Sequence, residues 1–165
     1  MHTETSGLNN AAERSWSVDQ ESALRLWIAL ARCYSTFAKS VAAKVAEYGL
    51  TTPQFGVLEA LHHLGPLSLG ELADKLLVTG GNVTYVMDRL EEQGLVYRWR
   101  SRDDRRVIHA RLTERGQILI GECFPGHAEF IEGLVARHLD DEERDELRRL
   151  LKTLGRGIKE EAVEP

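Results

Sequence analysis

The sequence predicts a mainly α-helical protein with one small β-hairpin, and three observations carry that reading. Apolar residues recur at three- and four-residue spacing through most of the 165 residues. Helix-start signals of one design appear at Thr51/Gln54, Ser68/Glu71 and Asp140/Glu143. The period turns from helical to strand-like only once, in the runs LVYRWR and VIHARL.

Residues 1–17 are polar and aperiodic and are expected to be a flexible N-terminus. From Val18 to Tyr48, Leu24, Ile28 and Ala31, then Phe37, Val41 and Val45, keep helical spacing, and Gly49 supplies a stop. In LTTPQF, Thr51 is placed to cap a second helix with Gln54 three residues on, and Leu50 and Phe55 flank the pair. LSLGEL repeats that arrangement with Ser68, Glu71, Leu67 and Leu72. Both are capping boxes with a hydrophobic staple, in which side chains satisfy the free N–H groups of a first turn.

Gly65-Pro66 breaks the chain between the two. A short helix should run from Ser68 to about Leu76, and Thr79 should cap the next, TGGNVTYVMDRLEEQG, with Val83, Val86, Met87 and Leu90 as its buried stripe and Gly94 as its stop. Two short helices joined by a tight turn make a helix-turn-helix. The hairpin follows, with the charged segment Ser101–Arg106 at its tip. Thr113 should cap a helix that Pro125-Gly126 kinks or interrupts, and Asp140 with Glu143 should cap the last, through Leu147, Leu150, Leu151, Leu154 and Ile158.

A hydrophobic share of 42% suffices for a core without disulfides. Cys33 and Cys123 lie far apart, the chain opens without a basic-then-apolar leader, and no uncharged run approaches a membrane span, so a soluble cytoplasmic protein is expected. Ser, His and Asp occur in no catalytic arrangement, which argues against an enzyme, and no cofactor or metal is expected.

The net charge of −5 conceals an uneven distribution. Residues 116–165 hold 7 Lys/Arg against 12 Asp/Glu, whereas residues 97–115 hold 7 Arg against 3 acids. An anionic polymer would meet that basic stripe at close range, whatever the overall sign. In a helix-turn-helix the second helix enters the DNA major groove and a neighbouring hairpin lies along the backbone and minor groove. Asn82, Tyr85 and Arg89 then share the outward face of the recognition helix, as side chains suited to adenine, phosphate or thymine methyl, and guanine. Gly80 and Gly81 would let backbone N–H groups approach a phosphate, or serve only the turn. At the hairpin, arginines would face phosphates with Asp103 or Asp104 fixing one guanidinium; alone, the same segment also reads as a self-paired solvated loop.

LTTPQFGVLEAL, GPLSLGELADKL, GNVTYVMDRLEEQGLVYR, the run Asp104-Arg105-Arg106 and the closing LTERG, in that order over residues 50–116, resemble the multiple-antibiotic-resistance regulator (MarR) family of winged-helix transcription factors. The resemblance implies a homodimer interlocked through its end helices, bound to a pseudo-palindromic operator of double-stranded DNA and released by a small phenolic or oxidant ligand. It divides the chain into a dimerisation helix (18–50), a winged helix-turn-helix lobe (51–112) and C-terminal dimerisation helices (113–160). The DNA-binding set becomes Thr79, Gly81, Asn82, Thr84, Tyr85, Arg89, Arg98, Arg102, Arg105 and Arg106, with Arg105 and Arg106 in the minor groove and Asp88 or Asp104 orienting them. The GGNVTY stretch looks closest to members that respond to quinones or aromatic acids.

An effector pocket would fall on Tyr34, Phe37, His62, His63 and the 117–124 region, although aromatics at helical spacing also serve as plain core. His62 and His63 are adjacent, so they point about 100° apart on a helix and make a poor metal pair. Cys33 and Cys123 are redox candidates if a thiol pKa is lowered, and structural residues otherwise. The rival to DNA binding is a winged helix used only as a protein-docking module.

Overall fold

The computed structural model describes residues 17–76 and 80–162. Its elements in order are helices α1 (Val18–Ala46) and α2 (Thr52–Leu64), strand β1 (Leu67–Ser68), helices α3 (Leu69–Leu76) and α4 (Gly80–Glu92), strands β2 (Val96–Arg100) and β3 (Ile108–Leu112), and helices α5 (Glu114–Ala136) and α6 (Asp141–Glu161). Of the expected flexible N-terminus 1–17, residues 1–16 lie outside the described residues, as does the expected cap Thr79; Ser17 is described, and its Oγ accepts from the Gln20 N–H. Among the described residues no helix is long and apolar enough to cross a membrane.

The local signals account for the helix ends. Gln54 N–H donates to Thr51 Oγ1 while Thr51 N–H donates to Gln54 Oε1 at 2.9 Å, closing the first capping box. Ser68 N–H donates to Glu71 Oε2 at 2.7 Å, and Glu71 N–H returns a bond to Ser68 Oγ. The Ser68 N–H and the Ser68 hydroxyl, both donating to Glu71 Oε2, hold that carboxyl below its usual range. Asp140 and Glu143 repeat the box at α6. Gly94 takes φ +67°, with Leu95 N–H donating to Leu90 O and Gly94 N–H to Glu91 O, the paired bonds of a Schellman stop.

The structure departs from the sequence reading in two places. The expected hairpin is a three-stranded antiparallel sheet of order β1-β3-β2, in which Leu67 pairs with Ala110 and Ser68 with His109. A two-residue strand carries no periodicity of its own, so only its distant partner reveals it. Nor is α5 interrupted: Pro125 sits inside a helix continuous from Glu114 to Ala136. Proline removes one backbone donor, leaving the Gly121 carbonyl without its intrahelical partner, and the rest of the ladder carries through.

The chain divides into two units between Ser40 and Val41. Within the first, α1 exposes Leu24, Trp27 and Ile28. The second has one core, including Val45, Phe55, Leu58, Leu72, Met87, Leu90 and Ile120, with Ala110 beneath the sheet. No α6 residue is buried, and Leu147, Leu150, Leu151, Leu154 and Ile158 are each at least 41% exposed, an apolar stripe without cover in a single chain.

His127 is buried against Phe55, ring centroids 4.4 Å apart, and its Nδ1 has no hydrogen-bond partner. Burial pushes its pKa down; the Glu59 carboxylate works against that and Lys44 adds to it. The unfolded chain therefore binds a proton more readily than the folded one, so stability is full above the ordinary imidazole value of about 6.5 and declines as pH falls from there toward the folded value. Melting followed from about pH 8 to about pH 5 should show this decline, and His127→Phe should flatten it. An unchanged slope in the variant would remove His127 as its source.

Candidate nucleic-acid interface

The interface is assembled from α4 and the loop between β2 and β3. Val83, Val86, Met87 and Leu90 are buried, which turns Asn82, Thr84, Tyr85 and Arg89 outward, all exposed. Gly81 lies in the first turn of the same helix. The Arg89 guanidinium stands 5.3 Å from the Tyr85 ring centroid and donates to Glu92 Oε2 at 2.8 Å. Exposed contacts of this strength exchange readily for a phosphate or a base edge.

The wing tip is held by its own backbone. Ser101 N–H donates to Val107 O and Val107 N–H to Asp104 O, each at 2.9 Å, and Arg100 Nη1 donates to Arg105 O. Asp104 takes Arg106 in a fork: Nε donates to Oδ1 and Nη2 to Oδ2, both at 3.1 Å. The pairing holds the Asp104 carboxyl below its ordinary range, so it stays ionised and keeps its grip. The Arg106 side chain remains 91% exposed, with guanidinium donors to spare. Arg102 and Arg105 are exposed, and their side chains make no ion pair among the described residues. Four guanidinium groups thus leave a turn whose shape does not depend on them all.

Arg98, expected among the phosphate contacts, is placed differently. Strand alternation turns it to the side occupied by α4, where Nη2 meets Asp88 Oδ1 at 2.7 Å and Glu91 Oε2 at 2.5 Å, and Nε donates to Glu91 Oε2 at 3.0 Å. Its own backbone N–H donates to Glu91 Oε1. Asp88 therefore orients Arg98, while the orienting of Arg106 falls to Asp104 alone. Sequence reasoning missed Glu91, and also the planar column on the other face of the wing. There the Arg111 guanidinium lies 5.5 Å from the Tyr97 ring, Tyr97 stacks on Trp99 at 6.0 Å, and Trp99 stacks on His109 at 5.4 Å. The cross-strand pairs Tyr97–Arg111 and Trp99–His109 are its only trace, and that trace needs the register to be read.

The other candidates separate. His62 and His63 meet edge to face at 4.9 Å, Phe124 packs on His63 at 4.5 Å, and His62 Nδ1 lies 2.8 Å from Gln117 Nε2. Tyr34, exposed, and Phe37, half-buried, belong to the first unit, as does Cys33, also exposed. Cys123 is buried, and burial, with Glu122 as a second cause, pushes its thiol above the ordinary value. That is the wrong direction for a reactive thiolate. A cavity of about 620 Å³ opens where Tyr48, Leu50, Leu95 and Ile118 meet, at the root of the wing.

A MarR family profile matches residues 50–108. The chain is 36% identical over 140 residues to the HTH-type transcriptional regulator MhqR of Bacillus subtilis, spanning 85% of this chain and 96% of that one. Its fold is similar to that of AbsC, a MarR family transcriptional regulator from Streptomyces coelicolor, with a TM-score of 0.77, 22% identity and coverage of 87% and 97% of the two chains. It is also similar to reduced AbfR, solved bound to DNA, at a TM-score of 0.68, 26% identity and coverage of 85% and 96%.

Proposed function

The chain belongs to the MarR family of winged-helix, DNA-binding transcriptional regulators, and from that premise we propose that it acts as a homodimeric repressor on a pseudo-palindromic operator. In this reading α4 enters the major groove through Asn82, Thr84, Tyr85 and Arg89, and the wing places Arg102, Arg105 and Arg106 over the minor groove and its phosphates. One observation carries it: beside an outward polar helix face stands a turn whose arginines are exposed, with one oriented by Asp104 and two unspent. AbfR, with 26% identity, is a relative solved on DNA.

Homodimerisation is supported by the α6 stripe, since five exposed large apolar side chains along one helix call for a partner surface. Two-fold pairing presents two lobes about one DNA turn apart, roughly 34 to 36 Å. Release by a small aromatic or oxidant effector is the regulatory part of the proposal. The His62, His63 and Phe124 cluster supports an aromatic ligand better than the raised thiol of Cys123 supports an oxidant. The relatives are transcriptional regulators, and no catalytic role is proposed.

Footprinting on the promoter beside the protein's own gene tests the paired geometry. Protection should cover two inverted half-sites centred about 10 base pairs apart. A single asymmetric half-site at saturation would contradict it.

A further inference from the structure

We propose that Arg98 is a positioning residue, which fixes the angle between recognition helix and wing by bridging Asp88 and Glu91, and that operator specificity depends on this bridge more than on any phosphate contact of Arg98. The inference rests on the DNA-binding reading above. Among the described residues every other ion pair lies within one turn of a helix or within the wing tip; this one alone joins two elements. The geometry is that of a clamp. Glu91 takes both the side chain of Arg98 and its backbone N–H, at 3.2 Å, so a single carboxylate of α4 holds the outward edge of β2, which is an edge strand of the sheet. Asp88, one turn earlier on α4, takes the same Nη2. The Arg98 side chain is only 21% exposed, and its cross-strand neighbour is the fully buried Ala110, too small to displace it. Lysine offers no planar fork and cannot reproduce the contacts of Nε and Nη2 together.

The signs of the charges separate this reading from the ordinary one. Asp88 and Glu91 stand on the helix that meets DNA, where two carboxylates repel a polyanion. If electrostatics alone mattered, neutralising one would tighten binding to any duplex. If Glu91 sets the wing, neutralising it loosens the operator complex while leaving binding to unrelated DNA unchanged or tighter. Misaligned lobes still attract phosphates but no longer reach base edges and minor groove together.

The test compares the full-length protein with Glu91→Gln, Arg98→Gln and the double variant on operator and on an unrelated duplex of equal length, across a salt series. Glu91→Gln, which leaves the Asp88 contact, should weaken operator binding about tenfold, Arg98→Gln at least as much, and the double no more than Arg98→Gln, because that substitution alone already removes both arms of the bridge. The salt slope should stay as in wild type. The proposal is overturned if Glu91→Gln binds operator as tightly as wild type or more tightly, while Arg98→Gln weakens both duplexes and makes the slope shallower by about 0.9 for each phosphate it no longer neutralises. Glu91→Gln is isosteric and sits on a partly exposed side chain, so it keeps the test open should Arg98→Gln fold poorly. A DNA-free readout separates this proposal from the function it rests on. Hydrogen exchange over residues 96–112 should quicken in Glu91→Gln, and unchanged exchange overturns the clamp even if operator binding is lost. Failure of wild type to bind any duplex, with the exchange effect present, would instead count against the DNA-binding reading alone.

Discussion

Replacing Arg105 and Arg106 together by alanine should abolish retention of operator DNA while leaving the dimer and its melting temperature intact. Both side chains are exposed, and neither contributes to the core. The turn that carries them is held by Ser101, Val107 and the Asp104 carbonyl, with the Arg105 carbonyl serving Arg100, so backbone rather than these side chains fixes its shape. The Asp104–Arg106 pair, at a side chain 91% exposed, contributes little to folding. Its role is orientation. Two arginines in each protomer make four cations withdrawn from the DNA per dimer, and at about 0.15 M salt each released counterion counts for roughly fivefold, so affinity should fall on the order of 10³-fold. Fluorescence anisotropy with labelled operator, alongside sedimentation for the dimer, reads both quantities. Full operator affinity in the double variant would remove the wing from the interface. Loss of the dimer instead would make the hairpin architectural and favour the docking-module reading.

The second large effect concerns the joint beneath the wing. Gly116 lies in the first turn of α5, directly against Leu95 at the exit from α4, and a Cβ built there would collide with Leu95 O. That oxygen cannot move cheaply, because it accepts the Thr113 N–H at 3.1 Å while Thr113 Oγ1 donates to Gly94 O at 2.7 Å and accepts from Gly116 N–H. Three backbone segments meet at one point, so Gly116→Ala has no flexible side chain to push aside. We expect a loss of about 3 kcal/mol, or about 10 °C in melting temperature, together with weaker DNA binding as α5 parts from the wing root. Gly121 in the same helix is the control, since a Cβ there meets nothing within 4 Å. Gly121→Ala should gain about 0.5 to 1 kcal/mol through reduced unfolded-state entropy. Equal melting temperatures for the two variants would contradict the close approach at Leu95.

What is legible in the sequence is local. A capping box needs only four consecutive residues, so Thr51/Gln54, Ser68/Glu71 and Asp140/Glu143 announce their helices, and all three boxes form. The stripe of Val83, Val86, Met87 and Leu90 likewise fixes which face of α4 points outward, because period and burial coincide on a helix packed on one side. Gly94 reads correctly as a stop because only a residue tolerant of positive φ ends a helix that way.

What stays hidden depends on partners distant in the chain. The pairing of Leu67 and Ser68 with β3 joins residues some forty positions apart, and nothing in LS marks a strand. In a run of five arginines each looks equally free. Which of them is committed follows from strand alternation at Val96, Arg98 and Arg100 and from a carboxylate seven positions back, so the sequence alone groups Arg98 with the phosphate contacts and passes over Glu91. Pro125 signals a kink or an interruption, and the interruption is what the rest of α5 overrides, since a single missing donor is tolerated where the flanking turns are packed through Ile120, Cys123 and His127. Of the residues expected at the effector site, His62, His63 and Phe124 lie within the second unit and pack on one another.

A protein of net charge −5 is expected to clasp a double helix because the fold sets the exposed arginines of one wing beside the outward polar face of α4, which itself adds only Arg89. Titration of the promoter fragment beside its own gene, begun at low ionic strength and repeated as salt is raised, tests it most directly. A discrete complex is expected, its log K falling linearly with log salt at a slope of roughly −5 to −9, as about 6 to 10 neutralised phosphates per dimer require. No complex with any genomic duplex at low ionic strength would contradict the claim.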